Sequence, residues 1–252
     1  LLLSGCGETA TKNNGGNGDI GSAELRQRAE AALQNGTTII DPANDWVPTG
    51  NSEDNPSFYP YDVGDITSET FVADDNYLYI KIQTAGVAPT TVQELPTFNG
   101  DQVKSITFDI TLDTDNNTQT GVLADNGAEV FVSALYKQDD ANNIYFDGQS
   151  YWYGPTGTEE PEMMRYKVRD YQTAVKWGGF GYDWKIIAIP LKDIGISKDQ
   201  EITVSAWAEV GSVKYDHASF DILGKGIPNI AGSYGIKINL NAGPTIIDPA
   251  NQ

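Results

Sequence analysis

The stretch Phe108 to Val132, FDITLDTDNNTQTGVLADNGAEVFV, limits what this chain can become more than any other. Apolar and polar residues alternate on either side of a loop dense in oxygen ligands. That period of two reads as strand, loop, strand, with one face of each strand buried. Within the loop Asp113, Asp115 and Asn117 stand at every second position, followed by Thr120 and Gly121, with Asp125 and Glu129 close behind. Oxygens at alternate residues converge when a tight loop curls round one point, and a calcium ion takes about six to eight of them in irregular geometry. Asp113, Asp115, Asn117, Asp125 and Glu129 are therefore expected to hold a structural Ca2+. The pattern is not an EF-hand, which needs Gly at the sixth loop position and Glu at the twelfth, where Thr118 and Ala124 stand. The alternative is a turn whose Asp and Asn side chains satisfy backbone amides without a metal. The cation is favoured because the gathered carboxylates would otherwise repel one another.

The same alternation recurs along the chain. Strands are expected at Ile66–Ala73 and Tyr77–Thr84, a hairpin turning at Asp74-Asp75-Asn76. Further strands are expected at Val103–Leu112, Ala128–Tyr136, Asn143–Phe146, Gln149–Tyr153, Tyr166–Val175, Trp184–Ile189, Ile202–Glu209 and Ser233–Leu240. Asp45 to Gly64, with Pro48, Pro56 and Pro60, is too rich in proline for a central strand. Short strands at this spacing, with turn signals between them and no long helix, imply a sandwich or barrel.

Charge and cysteine content narrow the class. Lys+Arg of 16 against Asp+Glu of 35 gives a formal charge of −19. Nucleic acid is excluded as a partner, since binding it needs a basic footprint. The balance suits an extracellular protein in a medium where salt and bound cations offset self-repulsion. A single Cys forbids an intramolecular disulfide, and no run of about 18 apolar residues exists to span a membrane.

That Cys ends the opening LLLSGC. Leu3-Ser4-Gly5-Cys6 resembles the lipobox of a bacterial lipoprotein signal peptide. The resemblance implies that residues 1–5 end a signal peptide and that Cys6 carries lipid, anchoring the protein to the bacterial outer membrane or cell surface. Two or more acyl chains suffice for stable anchoring. Residues 6–22, rich in Gly, Asn and Thr, read as a lipidated flexible tether. Residues 23–36 read as a short helix capped by Ser22 and closed by Gly36, its thin apolar stripe being Leu25, Ala29, Ala32 and Leu33. A stalk, or a lid over a sheet edge, is the expected role. The domain proper spans 37–242.

An internal repeat brackets that domain. GTTIIDPAN (36–44) and GPTIIDPAN (243–251) agree at eight of nine positions. Residues 243–252 are either a linker opening a second copy of the module or a terminal strand pairing with the first copy inside one domain. The first is favoured, since Gly-x-Thr after a strand makes a natural linker. Neighbouring copies of the module are then possible partners, and strand exchange between them is a minor variant.

The order of motifs carries a family resemblance. Asp62-x-x-Asp65-Ile66, Asp74-Asp75-x-x-Leu78-Tyr79-Ile80, Leu112 to Asn117 with Gly121, and Gly127-Ala128-Glu129 come in succession. Tyr182 to Leu191 and Thr203-Val204-Ser205-Ala206-Trp207 follow. Together they resemble the family 9 carbohydrate-binding modules and the DOMON-like group, over about Asp41 to Leu240. The resemblance implies an all-β, antiparallel, jelly-roll-like β-sandwich with a short N-terminal helix, often with structural Ca2+, appended to secreted glycan-active enzymes or surface proteins.

A sugar-binding face needs exposed aromatic platforms. Tyr151-Trp152-Tyr153 puts aromatics on both faces of a strand, and Trp177, Phe180, Tyr182 and Trp184 surround a glycine-rich loop. Trp152, Tyr153, Trp177 and Trp184 are the candidate ligand contacts, against the simpler reading that they pack the core. Catalysis is not expected: His217 stands alone, no nucleophile motif accompanies it, and Glu159, Glu160 and Glu162 read as a solvated run. Met163, Met164 and His217 make a poor set of haem ligands. The expected function is a non-catalytic cell-surface module binding polysaccharide or another glycan. The rival is a structural or adhesive surface repeat without a small ligand.

Overall fold

The computed structural model describes residues 22–45, 47–48, 61–98, 100–121, 127–138, 144–152, 175–212, 219–223 and 235–249. Helix α1 (Ser22–Leu33) comes first, then β1 (Thr37–Ile40), β2 (Val47–Pro48), β3 (Ile66–Ala73), β4 (Tyr77–Thr84) and β5 (Thr97–Phe98). The middle of the chain gives β6 (Asp101–Asp113), β7 (Val130–Gln138), β8 (Ile144–Trp152), β9 (Val175–Gly178) and β10 (Trp184–Pro190). A single turn, α2 (Leu191–Ile194), precedes β11 (Glu201–Ser212), β12 (Ser219–Ile222), β13 (Ile236–Asn239) and β14 (Thr245–Ile247). Cys6, the tether and most of the proline-rich loop after Asp45 lie outside the described residues.

Two sheets form. One has the order β14-β1-β3-β4-β10-β9, the other β2-β12-β11-β6-β7-β8, with β13 beside β11 and β5 beside β6. Their inner faces share one apolar core, in which Ile39, Phe71, Ile80 and Ile187 of the first meet Ile106, Phe108, Val132 and Val204 of the second. This is the all-β sandwich with a short N-terminal helix that the strand pattern implies. Among the described strands every ladder is antiparallel except β1 with β14. There Thr37, Thr38 and Ile39 run parallel to Thr245, Ile246 and Ile247. The two copies of the repeated peptide are thus neighbours in one sheet.

Strand limits follow the alternation closely where it is clean, and β3 and β4 match it to the residue. The two short strands expected at 143–146 and 149–153 are one strand, β8, whose ladder to β7 runs unbroken through Gly148 opposite Ala134. Of the strand expected at 166–175 only Val175 is described, and it opens β9. Strand β12, four residues long, is too short for its alternation to be read.

The run Trp184–Pro190 is apolar at nearly every position because both faces of β10 are covered. Ile187 and Ile189 face the core, while Ile186 and Ala188 join Val72 and Tyr79 on the outer face, under Leu25 and Ala29 of α1. A helix of 12 residues is marginal alone, so this packing holds it. Arg28 adds an ion pair to Asp74 at 2.5 Å. Burial works against the Asp74 carboxylate, but amides of Asn76 and Tyr77, the Tyr79 hydroxyl and Arg28 hold it below its ordinary pKa.

Charged groups enter the core itself. Glu69 of β3 and Lys185 of β10 both face Ile82 across the ladder, so both side chains point inward. Both are fully buried, and the Lys185 Nζ lies 3.3 Å from the centroid of the Phe108 ring on the opposite sheet. Burial pushes the Glu69 carboxyl up to about 8 and the Lys185 amine well below its usual value.

Candidate functional site

The Asp113 loop is built by the end of one long strand. β6 delivers Asp113 and β7 opens at Val130, opposite Leu112, with the Glu129 amide bonded to the Leu112 carbonyl at 3.0 Å. Asp113 and Glu129 are buried at 3% and 4% exposure while Asp115 reaches solvent. Carboxylate oxygens of the three lie within 4.8 Å of one another. The turn between them is fixed on several sides. Asn116 takes a left-handed backbone (φ 55°), donates from its amide to the Glu201 carbonyl at 2.8 Å and accepts from the Thr203 hydroxyl at 2.8 Å, which ties the loop to β11. Thr120 donates its hydroxyl toward Asp115 and Glu129 at 3.0–3.1 Å. Gly121 (φ 60°) leaves no room for a side chain: a Cβ there would sit 2.4 Å from the carbonyl oxygens of Gly127 and Ala128.

Among the described residues no cation stands against these acids. Burial raises the pKa of Asp113, and the neighbouring Asp115 adds to this against amide bonds from Asn117 and Asn116. Burial likewise raises Glu129, against hydrogen bonds from the Thr114 amide and hydroxyl. Such a set of hard oxygens could hold a metal ion. Of the five expected ligands, Asp113, Asp115 and Glu129 converge. The Asn117 side-chain oxygen instead accepts the Gln119 amide at 3.1 Å, an Asx turn, and Asp125 lies outside the described residues. Asp113 and Asp115 also accept the Asn117 amide, so the turn-forming bonds and the acid cluster coexist.

A second acid group escaped the sequence analysis. Asp41, Asp45 and Asp221 bring carboxylate oxygens within 4.8 Å of one another, joining the turn after β1 to β12. The DPAND run after the first repeat, followed by Asp62 and Asp65, is the signal that could have suggested it.

The aromatic candidates divide between the sheets. Trp177 on β9 and Trp184 on β10 are half-buried on the outer face of the six-stranded sheet, packed against the cluster under α1. Arg26 of that helix stands 5.8 Å over the Trp184 ring. Tyr182, 46% exposed, lies beside Trp184 with ring centroids 4.9 Å apart. The loop carrying it turns on Gly178, Gly179 and Gly181, all with positive φ. Trp152 ends β8 of the other sheet, its backbone opposite Val130 and so beside the Asp113 loop. Tyr153 lies outside the described residues.

No protein-family model matches the chain, and no curated protein matches it. Solved structures similar to it include the following two. A candidate carbohydrate-binding protein from Bacteroides uniformis ATCC 8492 shares 10% identity and a TM-score of 0.38, over 88% of this chain and 91% of that one. A family 9 carbohydrate-binding module from Caldicellulosiruptor kristjanssonii, in complex with glucose, shares 11% identity and a TM-score of 0.29, over 84% of this chain and 94% of that one. At these values neither neighbour says what this chain binds.

Proposed function

We propose that this chain is a non-catalytic module that binds extracellular carbohydrate, holds calcium in the Asp113 loop, and is carried on a bacterial surface by lipid on Cys6. The observation that supports the carbohydrate reading best is the exposed Tyr182 ring set beside Trp184, with the Arg26 guanidinium on the same face. Sugars offer flat CH faces that stack on such rings and hydroxyl rims that pair with charged neighbours.

The test is retention of the protein on a glycan array and on insoluble polysaccharides. Tyr182→Ala is expected to weaken retention about three- to tenfold, while an exposed tyrosine contributes little to stability. Silence on every glycan, or full retention by both Tyr182→Ala and Trp177→Ala, would refute this reading. The rival, a structural or adhesive repeat, is favoured by one observation: Ile246, 75% exposed, sits on the outermost strand of its sheet beside a near-copy of its own sequence. Self-association lost in Ile246→Lys, together with silence on glycans, would select it.

Calcium binding has its own readout. A ligand that binds only the folded state stabilises it by mass action. Saturating calcium is therefore expected to raise Tm by about 5 °C or more over chelator. Asp115→Ala, at an exposed position, should remove this loop's share of the rise. An Asp115→Ala protein with the full wild-type shift would exclude calcium from the loop.

A further inference from the structure

Where the two sheets meet beside β1, carboxylate oxygens of Asp41, Asp45 and Asp221 lie within 4.8 Å of one another, and Asp65 adds its charge to theirs at Asp221. Asp41 follows β1, Asp45 ends the turn after it, Asp65 precedes β3, and Asp221 lies in β12 of the opposite sheet. Asp65 and Asp221 are fully buried and Asp41 is 8% exposed, while Asp45 is half-buried. Among the described residues, donors reach only one oxygen each of Asp65 and Asp221. The Asn44 amide reaches one oxygen of Asp65 at 2.9 Å, and the Ile66 amide reaches one oxygen of Asp221 at 2.5 Å. The other oxygen of Asp65 is buried with no hydrogen-bond partner among the described residues, and the remaining oxygens of Asp45 and Asp221 are buried against one another with no donor from elsewhere among those residues.

Among the described residues, the charges acting on Asp221 are those of Asp41, Asp45 and Asp65. Buried polar oxygens are nearly always satisfied, so these point to a missing positive partner. An all-oxygen set without His or Cys selects a hard divalent cation over a transition metal.

We propose that Asp41, Asp45, Asp65 and Asp221 form a second divalent-cation site, of calcium type, that ties the six-stranded sheet to the eight-stranded one. It is independent of the Asp113 loop and of the carbohydrate reading. The ion joins β1 and β3 of one sheet to β12 of the other.

The test is calcium stoichiometry by equilibrium dialysis, with melting in calcium and in chelator, on the full chain. Wild type should hold a calcium ion that Asp115→Ala keeps and Asp221→Asn loses. Asp221→Asn should also depend on conditions, melting close to wild type in chelator and below it in calcium. Asp45→Asn, at the more exposed ligand, should weaken binding at least tenfold and serves if Asp221→Asn fails to fold. Binding unchanged in Asp221→Asn or Asp45→Asn, or an Asp221→Asn shift identical in calcium and chelator, would overturn the site. Loss of all calcium in Asp115→Ala would overturn it too and leave the loop as the sole site.

Discussion

Phe108→Ala is expected to lower the free energy of unfolding by about 3–5 kcal/mol, measured by urea denaturation. The ring is fully buried midway along β6 and faces the other sheet across the core. Its loss removes apolar contacts and leaves a cavity that strands locked into two ladders cannot close. It also takes away the surface on which the Lys185 amine rests. A buried amine beside a void is worse placed than one against an aromatic face, so the upper half of the range is expected. Phe108→Leu, which keeps most of the volume, should cost about 1.5 kcal/mol or less. A Phe108→Ala cost under about 1.5 kcal/mol would mean that the two sheets do not pack through this residue.

Gly121→Ala is expected to cost about 3 kcal/mol and to abolish calcium binding by the Asp113 loop. Two effects add. An L side chain at φ 60° is strained, and its Cβ would meet the backbone oxygens of Gly127 and Ala128 at 2.4 Å. Backbone cannot yield there without moving Glu129, the next residue on. Gly195→Ala separates the two effects, because φ is 72° and nothing lies within 4 Å of the added carbon. It should cost only about 1–2 kcal/mol. Equal costs at the two glycines would show that the loop relaxes freely, and with it the claim that its shape is set by close approach would fall.

What could be read beforehand was what lies close along the chain. Asp113, Asp115 and Glu129 sit on either side of one turn, so their convergence follows from strand, loop, strand. The strand limits of β3 and β4 came from alternation and a turn rich in Asp. Contacts distant in sequence were hidden. Asp41 and Asp221 are unremarkable acids until the sheets stack. The stripe Leu25, Ala29, Ala32 and Leu33 is the face α1 buries, but no pattern in α1 says that it lies on the outer face of β4 and β10 rather than along an edge. That placement in turn decides how much of Trp177 and Trp184 is left open, a matter on which alternation along β9 and β10 is silent.

The parallel pairing of β1 with β14 bears on how the domain carries load. In parallel neighbours the start of one strand and the end of the other lie at opposite ends of the pair. A pull on the chain before β1 and after β14 therefore slides the two strands lengthwise past each other. The rungs between Thr37–Ile39 and Thr245–Ile247 are then strained together, not opened one at a time from an end. Resistance to such tension is governed by the rate of unfolding, and this geometry sets its barrier at the seam between the two copies of the repeated peptide.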